Sequence, residues 1–466
     1  MTTTIHSPAS RRAFLQRLSQ LSLAGAAAPW ALNLAALGEA AASTAADYRA
    51  LVCVFLYGGN DYGNTLVPYD ATHYAQYQAQ RPTLAYAQSE LAATALAPVA
   101  APQDRNGASY QYALAPELAP LLPFFADGRM AVLLNVGTLM QPTTKTQYVN
   151  KSVPLPPKLF SHNDQQSFWQ STSAEGATSG WGGRLGDLLM SGNGNATFTC
   201  VNVSGNAVFM SGRAAVQYQV TPNGSIALTA QKTLFGSGAA ATALQSLITA
   251  QRTHLFEAEH TRVMRRALAA NDALATALAG APALSTVFPN GNALADQLKM
   301  VARMISVADA LQAKRQVFFV SLGGFDTHDG LLTTHPALLT TLAGALSAFQ
   351  SALAELAVQP QVTTFTASDF GRTLAGNNDG SDHGWGSMHF ALGGAVRGQR
   401  FYGTAPVIAN NGDDDVGQGR LLPTTSVDQL AATLGRWFGV SDSDLLTVLP
   451  NLVNWNAGAR NLGFMA

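Results

Sequence analysis

The sequence predicts an α/β protein, a three-layer α/β/α sandwich around a mostly parallel central sheet, with a largely helical insertion. Three observations carry this expectation. Residues 49–57 (RALVCVFLY), 130–136 (MAVLLNV) and 316–322 (QVFFVSL) are continuous apolar runs of strand length, as expected of central parallel strands covered on both faces. The first and third of these end alike, in Gly-Gly followed by Asp61 and by Asp326. A long helical pattern over 331–357 then separates the third run from a fourth, Val362 to Thr366, which is the order of a parallel βαβ unit.

The chain of 466 residues is 47% apolar, ample for a large core. A formal net charge of −1 with only 12% charged residues, and no basic run beyond Arg265-Arg266, gives no sign of a nucleic-acid or anionic-membrane partner. Two cysteines, Cys53 and Cys200, sit in apolar strand-like runs, where packing is the ordinary role and an oxidised pair the alternative. Neither has the spacing of a thiolate metal site.

Taken in order, Ser10-Arg11-Arg12-Ala13-Phe14-Leu15-Gln16 opens an apolar, Ala-rich stretch reaching Gly38, with small-residue cleavage sites near Ala42 and Ala46. This pattern resembles a twin-arginine export signal, so residues 1–46 are excluded from the fold and 47–466 are assigned to the folded protein. The stretch is too interrupted, by Pro29 and Asn33, for a membrane span. A periplasmic or secreted location and the twin-arginine machinery as a partner follow as expectations.

Residues 71–86 read as irregular helix or loop, and Leu114 to Phe125 has helical spacing. Pro154, Pro156 and Pro157 mark a loop leading to Ser161-His162-Asn163-Asp164, where Ser161 is either a nucleophile at a helix start or an N-cap. Gly180 to Asp187 begins a helix carrying Arg184, and Phe198 to Val203 is strand-like. Long Ala/Leu periodicity makes residues 205–313 a mostly helical insertion, with His254 and His260 on a solvated face. Asp413, Asp414 and Asp415 read as a solvated loop.

The most informative window is 363–403. Its strand ends at Ser368-Asp369-Phe370-Gly371-Arg372, and a Gly/Asn/Asp loop then delivers Asp382-His383-Gly384-Trp385, with His389 six residues beyond His383. Asp326 and His328, two apart in an extended segment, lie on one side of the chain. Asp and His supply the oxygen and nitrogen ligands that Zn, Mn or Fe accept, and strand ends are where a sheet presents them.

Together the stretches FLYGGNDYGNTLVPYD, SHNDQQSFW, GWGGRLGD, GGFDTHDG, SDFGRT and SDHGWGSMHFALGGAVRG resemble the DUF1501 family of exported bacterial proteins. That family is similar to the alkaline phosphatase and sulfatase superfamily. The resemblance implies an alkaline-phosphatase-like sandwich holding divalent metal (Zn, Mn, Mg or Ca) at its strand ends, with a metal-free relative as the alternative. It implies Asp61, Asp326, His328 and Asp369 as ligands and Ser161 as nucleophile. Phe370 stands where a ligating His is expected, so Asp382, His383 and His389 are candidates for the missing groups. Arg372 or Arg184 would clamp a small anionic ester substrate. The implied activity is metal-dependent hydrolysis of a phosphate or sulfate ester. The alternative is a non-catalytic cell-surface or carbohydrate-binding relative. Asp61, Asp326, Asp369 and His383 are expected to converge at the carboxyl edge of the sheet.

Overall fold

The computed structural model describes residues 48–226 and 232–466; the expected export signal, 1–46, lies outside the described residues. In chain order the first seven strands are β1 (Arg49–Leu56), β2 (Leu66–Pro68), β3 (Tyr112–Leu114), β4 (Met130–Gly137), β5 (Cys200–Asn202), β6 (Tyr218–Thr221) and β7 (Gly224–Ser225). The rest are β8 (Arg315–Leu322), β9 (Val362–Ser368), β10 (Arg372–Gly376), β11 (Ser381–His383), β12 (Ser387–Leu392), β13 (Arg400–Tyr402) and β14 (Thr425–Ser426). The helices that matter below are α1 (Ala71–Gln80), α2 (His162–Ser171), α3 (Trp181–Leu189), α4 (Gly238–Thr249), α5 (Leu255–Ala279), α6 (Ala293–Ser306), α7 (Leu331–Glu355) and α8 (Val427–Phe438).

The main sheet has the order β13-β4-β12-β9-β1-β8-β5-β6-β7, with β14 paired to β4. Pairing is parallel throughout except at β12, which runs against both β4 and β9, and at the β6–β7 edge. β8 and β9, joined through α7, are not neighbours: β1 lies between them and pairs with both.

Strand alternation explains the three layers. Along β1, Ala50, Val52, Val54 and Leu56 enter one core while Leu51, Cys53 and Phe55 enter the other. The first core takes Leu298 and Val301 of α6 and Leu339, Leu346 and Phe349 of α7. The second takes Trp181 and Leu185 of α3 and Leu430 and Phe438 of α8. Both faces of β1 are therefore dry, which is why its sequence is an unbroken apolar run. α7 is long and apolar enough to cross a membrane by length and composition, yet much of it is buried in the first core. Cys53 and Cys200 are buried and free, in packing roles.

The acidic loop differs from expectation. Asp414 and Asp415 are buried: Asp414 pairs with Arg105 and accepts from Val407 N–H, and Asp415 accepts from the N–H groups of Asn411, Gly417 and Gly419. Their carboxylates replace the backbone acceptors that an irregular loop lacks.

Candidate metal centre

The parallel register Leu56↔Leu322 and Leu56↔Ser368 ends three strands level at one edge. The segments after β1, β8 and β9 emerge there together. β4 leads through a long connection to α2 at the same edge, because β12 starts there opposite Val136. The hairpin β10–β11 places Arg372 across from His383. Gly58 locks these segments. Its φ of 113° suits glycine alone, and a Cβ on it would lie 2.3 Å from the Asp326 backbone nitrogen. That closeness lets its N–H donate to Asp369 Oδ2 at 3.2 Å and its carbonyl accept from Arg372 at 2.9 Å.

Three imidazoles meet at this edge, each tied at Nδ1 to an oxygen. His162 Nδ1 lies 2.6 Å from Asp369 Oδ2, His383 Nδ1 lies 2.8 Å from the Phe160 carbonyl, and His328 Nδ1 lies 3.2 Å from Asp382 Oδ1. An oxygen acceptor at Nδ1 places the proton there and leaves the Nε2 lone pair free. The three Nε2 atoms turn inward: His383 Nε2 is 3.0 Å from that of His162 and 2.8 Å from that of His328. Lone pairs facing at that range repel unless a proton or a cation lies among them. Asp326 completes the group, with Oδ1 3.2 Å from His383 Nε2 and 3.1 Å from His328 Nε2, and Oδ2 3.4 Å from His162 Nε2.

These residues fit a metal ion. Ligand atoms of His162, Asp326 and His383 all lie within 4.8 Å of one another. Tetrahedral zinc with bonds of about 2.0–2.1 Å spaces its ligands about 3.3 Å apart. Imidazoles oriented from Nδ1 by a carboxylate or a backbone carbonyl are the outer-shell pattern of metal-bound histidine. Asp369 adds a second indication: its Oδ2 also accepts from Gln166 at 2.8 Å, while its buried Oδ1 has no hydrogen-bond partner among the described residues.

The surrounding charges act differently on the members of the cluster. The hydrogen bond from His162 to Asp369, opposed by burial, raises the imidazole above its ordinary value. Burial, reinforced by the charge of His162, lowers His383 in spite of its bond to Phe160. For Asp326, burial acts upward, but the hydrogen bond and charge of Arg372 outweigh it and hold the carboxyl below the usual range.

The sequence-predicted residues separate into those in the cluster and those outside it. Asp326, His328 and His383 face its centre. Asp369 and Asp382 hold the outer nitrogens of His162 and His328. Asp61 is engaged elsewhere: both its oxygens accept from Arg81, at 2.7 and 2.8 Å, in a fully buried ion pair. His389 lies within β12, its Nδ1 3.4 Å from Thr366 Oγ1, where burial pushes it down to about 3. Ser161 Oγ donates to Asp164 Oδ2 at 2.9 Å and, among the described residues, to no member of the cluster.

Arg372 is committed to Asp326 at 2.7 Å, to Gly58 and to Ser381, so it positions a carboxylate instead of offering a free fork to an anion. Arg184 is likewise engaged by the carbonyls of Val448, Ser179 and Ser171. Phe370, standing where a His was expected, packs its ring 4.8 Å from those of both His162 and His383.

His162 is the residue that sequence reasoning missed. It stands beside Ser161, the N-cap residue, at the start of α2. The Ser-His-Asn-Asp turn ahead of an aromatic run was the available signal.

Among solved structures, the chain is similar to Ps i-CgsB in complex with k-i-k-neocarrahexaose, at 11% identity and a TM-score of 0.33, covering 88% of this chain and 77% of that one. It is similar to the PsFucS1 sulfatase from Pseudoalteromonas sp., at 11% identity and a TM-score of 0.34, covering 93% and 76%. It is also similar to the lipoteichoic acid synthase LtaP from Listeria monocytogenes, at 8% identity and a TM-score of 0.33, covering 90% and 81%. No curated protein sequence matches. The signature of the family described as "Protein of unknown function (DUF1501)" matches residues 48–449, and the chain belongs to that family.

Proposed function

We propose that this protein is an exported, metal-dependent hydrolase of a phosphate or sulfate ester. One observation carries the reading: three histidines with anchored Nδ1 atoms and inward Nε2 atoms converge on Asp326 at the carboxyl edge of the sheet. His162, Asp326, His328 and His383 would hold the ion. A set of three imidazoles and one carboxylate suits zinc, iron or manganese better than magnesium or calcium, which take oxygen ligands. Such an ion supplies positive charge at the ester oxygen and the means to activate water.

The chain's own groups orient this centre. Asp369, Asp382 and the Phe160 carbonyl fix the imidazole tautomers. Arg372 keeps Asp326 ionised, and Phe370 walls two of the rings from solvent. Asp326 itself is half exposed, which leaves the centre open to a substrate. With Ser161 bound to Asp164, the nucleophile in this reading is water. The ester class rests on the motif resemblance to the phosphatase and sulfatase superfamily, and export rests on the Arg11-Arg12 signature.

The commitment of Ser161, Arg372 and Asp61 to other partners favours one second reading, a cell-surface relative that keeps the metal centre to bind a carbohydrate or other acidic ligand without turnover. The test is hydrolysis of aryl phosphate and aryl sulfate esters by zinc- and manganese-loaded protein. The hydrolase reading expects turnover that His383→Ala abolishes and Ser161→Ala retains. Metal-loaded protein inert toward both esters counts against the hydrolase reading, and turnover unaffected by His383→Ala removes the centre from the chemistry.

A further inference from the structure

The loop between β13 and β14 brings an arginine onto the metal centre from a part of the chain that supplies no ligand. Buried Asp415 shapes the turn, accepting from the N–H groups of Gly417 and Gly419 at 2.7 and 2.8 Å. The Val416 N–H donates to the Arg420 carbonyl at 3.0 Å, and the Arg420 N–H to the Gly417 carbonyl at 3.1 Å. The carbonyls of Gly419 and Leu421 then accept, at 2.9 Å each, from Leu374 of β10 and from Gly386 just beyond β11. Arg420 is therefore held at a fixed place beside His383 of β11.

Two contacts of its side chain end on the same histidine. Nε donates to the His383 carbonyl at 2.9 Å. The guanidinium lies over the Phe160 ring, 4.9 Å from its centroid. Phe160 is the residue whose carbonyl lies 2.8 Å from His383 Nδ1. One planar cation thus ties down the backbone of His383 and the residue that holds its ring. Phe160 has a φ of 72°, in the left-handed region that a bulky side chain rarely adopts. A residue strained in this way persists where its surroundings over-determine it, and such residues gather at functional sites. The third contact, from Nη1 to the Gly417 carbonyl at 3.3 Å, stays within the loop. An arginine that only tied the loop together would need that bond alone.

We infer that Arg420 is the positioning residue of His383, setting the direction of its Nε2 lone pair. The geometry stands on its own, and the consequence for an ion rests on the metal-centre reading above. With its own carbonyl and that of Phe160 both held, the imidazole keeps its proton on Nδ1 and turns Nε2 toward Asp326 Oδ1, 3.2 Å away. Without the arginine, the Phe160 backbone is released from its left-handed conformation and carries the acceptor away from Nδ1. Lysine does not replace it. An ammonium covers the ring or reaches the carbonyl, but lacks the planar fork that does both.

Two readouts on Arg420→Gln test the inference. Zinc affinity, measured by competition with a chelator, should fall about tenfold or more, the usual loss when an outer-shell partner of a ligand is removed. Nitrogen NMR of metal-free protein labelled at histidine, with the His383 signals identified by their absence in His383→Ala, should show the Nδ1–H tautomer in the wild type and a mixture of tautomers in the variant. Arg420→Lys should suffer both losses, and where Arg420→Gln fails to fold it carries the same two readouts, because it keeps the charge and the stem. In a Phe160→Leu background Arg420→Gln should cost less zinc affinity than it does alone, since the ring it stacks on is already gone. Wild-type affinity and an unmixed tautomer in both arginine variants overturn the inference. So does a loss of affinity with the tautomer unchanged, because the arginine then acts other than through the His383 ring. Wild-type protein that binds no zinc, yet whose His383 tautomer becomes mixed in Arg420→Gln, removes the metal reading and upholds the positioning role.

Discussion

Asp61 and Asp369 follow neighbouring strands and are both buried, but their carboxylates serve different ends. Arg81 satisfies both oxygens of Asp61, with Asn64 sharing the guanidinium. Removing one partner of such a pair strands a charge in the core, at a cost of about 3–5 kcal/mol. Asp61→Ala should therefore lower the melting temperature sharply while metal content per folded chain stays the same. Asp369→Asn should do the reverse, leaving stability nearly intact and weakening metal binding about 10–100-fold through the loss of His162 orientation. Equal metal loss in both variants would return Asp61 to the ligand set. The two aspartates look alike in sequence because both end apolar strands. Their difference lies in Arg81, which follows α1 and bears no local sign of its partner. The role of His162 was hidden for the same reason, since the Asp369 that holds it is far along the chain.

The strand ends were more legible than the residues on them. Apolar runs closed by glycine predicted β1 and β8, and the helical period between 331 and 357 predicted α7 within two residues of its end. The antiparallel insertion of β12 was not legible, because an apolar run carries no direction. At this scale the turn after β1 is the lock of the site. Gly58→Ala imposes a strained φ and drives a methyl into the Asp326 backbone, 2.3 Å away in the present geometry. The expected result is lower thermal stability together with at least tenfold weaker metal binding, because Gly58 also contacts Asp369 and Arg372. A variant destabilised but unaltered in metal affinity would show that the turn supports only the fold.

Across the whole molecule, buried titratable groups set a pH dependence separate from the metal centre. Burial pushes His335 down to about 4 and His389 down to about 3, and it raises Asp428 to about 7. Near pH 5 the unfolded chain protonates both histidines and the native chain neither, while Asp428 holds its proton only when native. The two histidines outweigh the aspartate, so the unfolded state binds more protons than the native state and stability falls on acidification. Melting temperature should decline from pH 6 to pH 5, and His389→Gln should flatten that decline. An unchanged slope in the variant would show that His389 is not held neutral in the sheet.

The central claim, that His162, Asp326, His328 and His383 form a metal centre, is tested most directly by elemental analysis of purified protein. The account predicts about one zinc, iron or manganese ion per chain in the wild type and loss of that ion in folded His383→Ala and His162→Ala. Wild-type protein that neither carries such an ion nor takes one up on addition, or variants that retain it, would contradict the account.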